Sequence, residues 1–439
     1  MIDYSPSPYR ALKRCLWLYF WLLLLEGALR KWVLPGYSDV LFIVRDPLVI
    51  FIYFLAWRDG VFPRRPAMVA LWVIVVFSAG FSLAGDASPL VTAFGLRTNY
   101  LHIPLVFVME AVLRRADVVA FGRAVLWSSV PIILLMIFQF NSTPDAWVNV
   151  GVGEGVQILG ALGRIRPPGP FSFIAGVVSF FALAGAFLLA GWARSGDYSR
   201  RLLIAATVAT VVAVPVSISR SLLFALLIVG AFSLMLAARD LRSSHKYVGP
   251  LLVALAMLAA ISTTSYMEAM LQRWDDTLVA DQDGFYGTVV ERMLGEFTQP
   301  IHAALTAPFL GHGIGLGTVA GARLETGGAA FLLAESELGR VVQELGPLLG
   351  AAFICWRWWL AGLLLIRGWR AFQFRGDALG WLLAGASVGS VMMGQWGPAT
   401  QLGFSVFVAG LSLAASKEPE EESEGEETAA EPEESVAGA

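Results

Sequence analysis

Apolar stretches of membrane length alternate with short polar turns along most of this chain. They fall at about 15–34, 39–57, 67–85, 95–113, 118–139, 171–192, 202–218, 221–238, 247–265, 343–366, 377–394 and 398–415. Roughly 20 apolar residues cross the hydrocarbon layer as a helix, so each stretch reads as a candidate span. One segment breaks the rhythm. From Tyr266 to about residue 342 there is no membrane-length run, yet pieces such as ERMLGEFTQPIHAAL carry helical periodicity. Long polar loops inside a compact structure are uncommon and commonly functional.

The pattern predicts an all-α polytopic membrane protein of about 12 transmembrane helices with one large, partly helical loop. The divisions are helices 1–9 over 1–265, the loop over 266–342, helices 10–12 over 343–416, and a tail over 417–439. Composition agrees with a lipid-embedded chain. Hydrophobic residues make up 57% and charged residues 15%, with a mean hydropathy of +0.67, against about 25% charged in soluble domains.

Charge sets the expected orientation. Arg10/Lys13/Arg14, Arg58/Arg64/Arg65, Arg114/Arg115, Arg194/Arg200/Arg201, Arg239/Arg242/Lys246 and Arg367/Arg370/Arg375 occupy alternate inter-span segments. Cytoplasmic loops are the ones enriched in Lys and Arg. Both termini are therefore expected in the cytoplasm, with the 266–342 loop on the extracytoplasmic side. The net charge of −3 conceals a basic body, because KEPEEESEGEETAAEPEESVAGA holds many of the acids. That tail is too polar to build a core and is expected to be disordered. Cys15 and Cys355 both lie in apolar segments and suggest neither disulfide nor zinc site.

Ionisable residues inside or beside spans are costly and default to functional hypotheses. Arg97, Arg166 and Arg220 all fall near the outer side, as do Arg45 and Asp46. Arg45 and Asp46 can neutralise each other or brace a kink at Pro47, and Arg97 with His102 can reach the interface. Arg166 and Arg220 flank the helix pair 171–218, so both are expected at one membrane face. Converging arginines suit a diphosphate headgroup, since the guanidinium is always charged and binds phosphate through two donors. Interfacial anchoring is the competing account. Arg357, among tryptophans in CWRWW, reads as part of an interfacial belt.

Four segments then resemble one family. RIRPPGPFSF, ISRSLLFALLIVG, ERMLGEFTQPIHAALTAPFLGHGIGLGT and ESELGRVVQELGPLLG resemble, in order and spacing, elements of the O-antigen ligase and O-antigen polymerase superfamily. The resemblance covers about residues 160–350. It implies transfer of a glycan from undecaprenyl diphosphate to an acceptor glycan at the periplasmic face, in surface polysaccharide or O-antigen synthesis. It also implies no cofactor and no metal. The expected partners are the lipid-linked donor, the glycan acceptor, the bilayer and other polysaccharide-assembly proteins, with no nucleic acid.

Carried onto this chain, the resemblance makes Arg166 and Arg220 diphosphate ligands, with Arg292 in the loop. Arg340 and Arg97 are further candidates. Ligases of the family carry a histidine where this chain has Glu335, which leaves room for a polymerase. A carboxylate can take the acceptor's proton if its surroundings tune it, so Glu335, Glu337 and His312 are the catalytic candidates. Should 335–345 be helical, Glu337, Arg340 and Glu344 share one face. Two readings from other classes stay open: a secondary transporter, and a membrane scaffold using its acidic tail.

Overall fold

A computed structural model describes residues 9–85, 87–152, 159–280, 292–328, 332–334 and 336–417. Among them the chain is helical, with one isolated bridge between Leu159 and Ile165 and no named strand. Among the described residues, six helices are long and apolar enough to cross a membrane: Pro35–Arg58, Pro66–Ala84, Arg115–Asn141, Ile174–Ala193, Arg220–Arg239 and Glu337–Arg375. A seventh is counted if Leu241–Ala260 and Ser265–Asp276, which meet at a 93° bend, form one broken span.

Twelve spans were expected, and the difference has local causes. The stretch 95–113 is not one helix. It runs as Pro89–Leu96, a π turn over Arg97–Leu101, and Pro104–Val112. Pro104 lacks the N–H that would continue the ladder. Leu379–Met393 and Ala399–Ala415 are apolar but shorter than 18 residues.

The helices also expose apolar faces that water would not tolerate. On Pro66–Ala84, Val69, Val73 and Val76 are 61%, 50% and 68% exposed, while Leu71 and Ile74 are buried. Contiguous exposed apolar area on this scale marks a lipid-facing surface. This is a membrane protein. Its centre is Ile174–Ala193, where Phe180, Phe181 and Phe187 are fully buried and 78% of the apolar window is enclosed.

The last long helix, Glu337–Arg375, is two helices folded at Gly346, where φ is +77° and ψ 166°. A side chain at that φ is strained, so glycine fits the corner. Pro347 follows and has no N–H for the carbonyl of Gln343. The glycine-rich stretch supplies the missing donors: the His312 N–H bonds the Gln343 oxygen at 2.9 Å, and the Gly313 N–H bonds the Glu344 oxygen at 3.0 Å. The run GHGIGLG is thus a cap on a broken helix. Gly311, at φ +73°, lies so close to the Glu344 backbone that a Cβ would overlap it.

A cavity of about 550 Å³ opens where Ile174–Ala193, Arg220–Arg239 and Glu337–Arg375 end, beside the start of Leu379–Met393. It fixes two ends of the bundle. Arg220 opens a helix of 20 residues whose last residue, Arg239, lines that cavity, so the two stand about 30 Å apart.

Candidate functional site

Three groups of charged side chains lie away from that cavity. The first is a cluster of like charge. Arg166 sits on the turn RIRPPGPF, which is pinned from two sides. Lys31 Nζ donates to the carbonyls of Gly169 at 2.7 Å and Phe171 at 2.9 Å, and Gln139 Oε1 accepts from the Gly169 N–H at 2.8 Å. Arg220 opens its helix straight after the turn Ser217–Ser219, where Ile218 takes φ +47°. The 93° bend then brings Ser265–Asp276 across, with Arg273 and Trp274 on it.

These arginines feel one another. Burial pushes the Arg166 guanidinium down from its ordinary value, and the charges of Arg273 and Arg220 push it further. Its Nη2 donates to Ser219 Oγ at 3.4 Å, while its buried Nε has no hydrogen-bond partner. Arg220 lies over the Trp274 ring at 5.4 Å, a cation–π arrangement. Each positive neighbour makes the charged form of Arg166 costlier, and an anion beside it would lower that cost.

The second group is neutralised and fully buried. Arg340 donates to Glu337 at 2.9 and 3.0 Å, to Glu344 at 2.6 Å and to Asn99 Oδ1 at 2.9 Å. The face shared by Glu337, Arg340 and Glu344 is as the helical spacing implies. Arg357 completes it from the other arm of the folded helix. It donates to Glu337 Oε1 at 2.9 Å and to the carbonyls of Val391 and Gly394, both at 2.8 Å. The Trp396 ring lies 4.0 Å from its guanidinium. Arg357 is therefore no belt residue; it is a buried brace with 0% exposure.

Glu296 borders this group from the helix Arg292–Thr306, and sequence reading passed over it. It is half-buried, and its Oε2 has no hydrogen-bond partner. Burial and the charge of Glu337 hold its carboxyl above the usual range, with Arg357 opposing. Only the ER–amphipathic-helix pattern around it signalled a site, and that pattern does not single out one acid.

The third group is an ion-pair chain in the first helices. Arg45 bonds Glu26 Oε2 at 3.0 Å, and Asp46 is held by Arg97 and by His102 Nε2 at 3.0 Å. Arg45 and Asp46 thus face different partners rather than neutralising each other. Arg97 is a structural pair here, not a member of the arginine cluster.

Of the other expected site residues, Arg340 belongs to the second group, and Glu337 is fully engaged by two arginines. His312 is half-buried, and its backbone N–H serves the helix cap. The helix carrying Arg292 is described but its side chain is not. Glu335 lies outside the described residues, as do 281–291 in the loop and the tail from 418.

The first two groups share one end of the bundle. Arg220 and Leu379–Met393 give the direction: Leu379 lines the cavity, and the far end of its helix meets Gly394, which bonds Arg357. No model of a known protein family matches the chain, and no curated protein sequence matches it.

Proposed function

We propose that the chain is a membrane glycosyltransferase that polymerises undecaprenyl-diphosphate-linked oligosaccharide units at the extracytoplasmic face of a bacterial inner membrane. One observation carries the reading: Arg166, Arg220 and Arg273 gather at one end of membrane-length helices despite their mutual repulsion. A diphosphate headgroup relieves that repulsion while its isoprenoid tail stays in lipid. The four segments similar to O-antigen polymerases and ligases support the same chemistry, and the basic alternation supports cytoplasmic termini.

In this reaction the acceptor hydroxyl oxygen attacks the anomeric carbon of the donor's first sugar. The new C–O bond forms as the C–O bond to the diphosphate breaks. The electron pair leaves with the diphosphate, whose charge the arginines stabilise in place of a metal. The hydroxyl proton passes to a loop carboxylate, and Glu296 suits that task better than Glu337, whose oxygens are taken by Arg340 and Arg357. An unpaired, half-buried carboxyl with a raised pKa is a fitting base near neutral pH.

Purified protein in lipid, given an undecaprenyl-diphosphate oligosaccharide with and without chelator, tests the proposal. A ladder of longer lipid-linked glycans supports the polymerase. A single transfer that needs an added acceptor, such as a lipid A core, supports the ligase-type alternative. No transfer from any such donor, with solute flux in the same vesicles, overturns the enzyme and favours a transporter, for which the bent Leu241–Asp276 pair is the supporting feature.

A further inference from the structure

The cavity at the opposite end of the bundle has no part in that reaction. Its walls carry Arg115, Arg194, Arg239, Lys246 and Arg375 against two acids, Asp240 and Asp377. Both acids are already engaged. Asp377 is bonded by Arg115 and approached by Arg194 at 3.5 Å, and Asp240 accepts from the Ser243 N–H. Arg115 is shared further with Asp197 at 2.8 Å. Among the described residues, neither Arg239 nor Lys246 has an ion pair, and Arg375 donates to the neutral carbonyl of Lys417. The wall is left with surplus positive charge.

Helix ends explain part of this. Arg239 and Arg375 stand in last turns, where the helix dipole favours a cation. Lys246 does not: it sits three residues into Ser244–Ala260, at the end where the dipole opposes positive charge. Ala190, Ala193, Phe372 and Leu379 complete the lining. Arg239 closes a 20-residue helix, about 30 Å long and apolar enough to cross a membrane, so the cavity lies at the end of a span, where lipid headgroups are found.

We propose that this cavity is a second anion site, which takes a phosphate-bearing group through Arg239, Lys246 and Arg194. The shared chemistry is a phosphate mono- or diester. Its source is either the headgroup of an anionic phospholipid or a soluble phosphate. Basic pockets between helix ends are a recurring form of headgroup site.

The test uses the full chain in detergent, titrated with phosphatidylglycerol, phosphatidylcholine or inorganic phosphate and followed by native mass spectrometry. Retention of phosphatidylglycerol but not phosphatidylcholine is expected. The double variant R239Q/K246Q should weaken that retention about thirtyfold, at the roughly fivefold per basic residue typical of anionic surfaces. R239K/K246R, which keeps the charge and the fold, should retain it. Displacement of the lipid by millimolar inorganic phosphate assigns the site to a soluble phosphate. Equal retention of phosphatidylglycerol by wild type and R239Q/K246Q, or equal retention of the two lipids, overturns the proposal. Glycan transfer plays no part in this readout, so the outcome is independent of the reaction proposed above.

Discussion

Glu337 and Arg357 stand 20 residues apart on one chain segment, yet their side chains meet at 2.9 Å. On a straight helix they would be about 30 Å apart. The fold at Gly346 brings them together, and Gly350 packs so closely on Val342 that a Cβ would lie 2.8 Å from its Cα. The buried charges therefore depend on one backbone corner. Gly346→Ala should cost about 1–3 kcal/mol, the range for a residue forced into unfavourable φ and ψ. Thermal unfolding in detergent measures it, and an unchanged midpoint would refute the corner's role.

Arg357→Gln should be more damaging than its tryptophan-rich setting implies. It removes one of the two arginines from a buried carboxylate and strands two carbonyls, a loss of about 3–5 kcal/mol on the scale of broken buried pairs. Pulse proteolysis reads the difference. A variant as stable as wild type would refute the bracing role of Arg357.

Arg166→Gln separates binding from folding. Relief of repulsion from Arg273 and Arg220 should leave the unfolding midpoint equal or higher. Glycan transfer should fall by about 10²–10³, as when one donor to a developing anion is removed. Arg97→Gln should do the reverse. It strips a partner from Asp46, so stability falls while the donor's KM stays near wild type.

The pH dependence turns on Glu296, faced by Glu337 and Arg357 from the packed helix. A carboxyl whose folded pKa is raised binds its proton more tightly in the folded state. Its contribution therefore weakens stability as pH rises from the ordinary carboxylate value through the raised one. As base it must be deprotonated, so the transfer rate should climb through that same raised pKa. Glu296→Gln should abolish the rise in rate and, above that pKa, stabilise the chain. A pH profile of transfer that is unchanged in Glu296→Gln would dismiss it as the base.

How legible these sites were in the sequence depended on whether their geometry is local. Helical spacing alone joins Glu337, Arg340 and Glu344, since i, i+3 and i+4 lie on one face. Arg357 escaped because its partner is reached only through the Gly346–Pro347 corner, although Gly before Pro is itself a readable break. Arg166 and Arg220 could be paired because both border one helical hairpin. Arg273 could not, because a 93° bend follows no hydropathy signal. Hydropathy windows likewise drew one span over 95–113, where the π turn and Pro104 divide the helix.

Synthesis order gives the pinned turn a consequence of its own. The ribosome releases Lys31 well before Gly169 and Phe171, which lie 138 and 140 residues downstream. Arg45 differs, because its ion-pair partner Glu26 is made before it, and only its carbonyl acceptor at Ala399 comes 354 residues later. Lys31 thus enters the membrane before its permanent acceptors have been made. Until that turn arrives it must be sheltered by water, lipid headgroups or the insertion machinery, so a chain stalled before residue 169 leaves a charge for quality control to find.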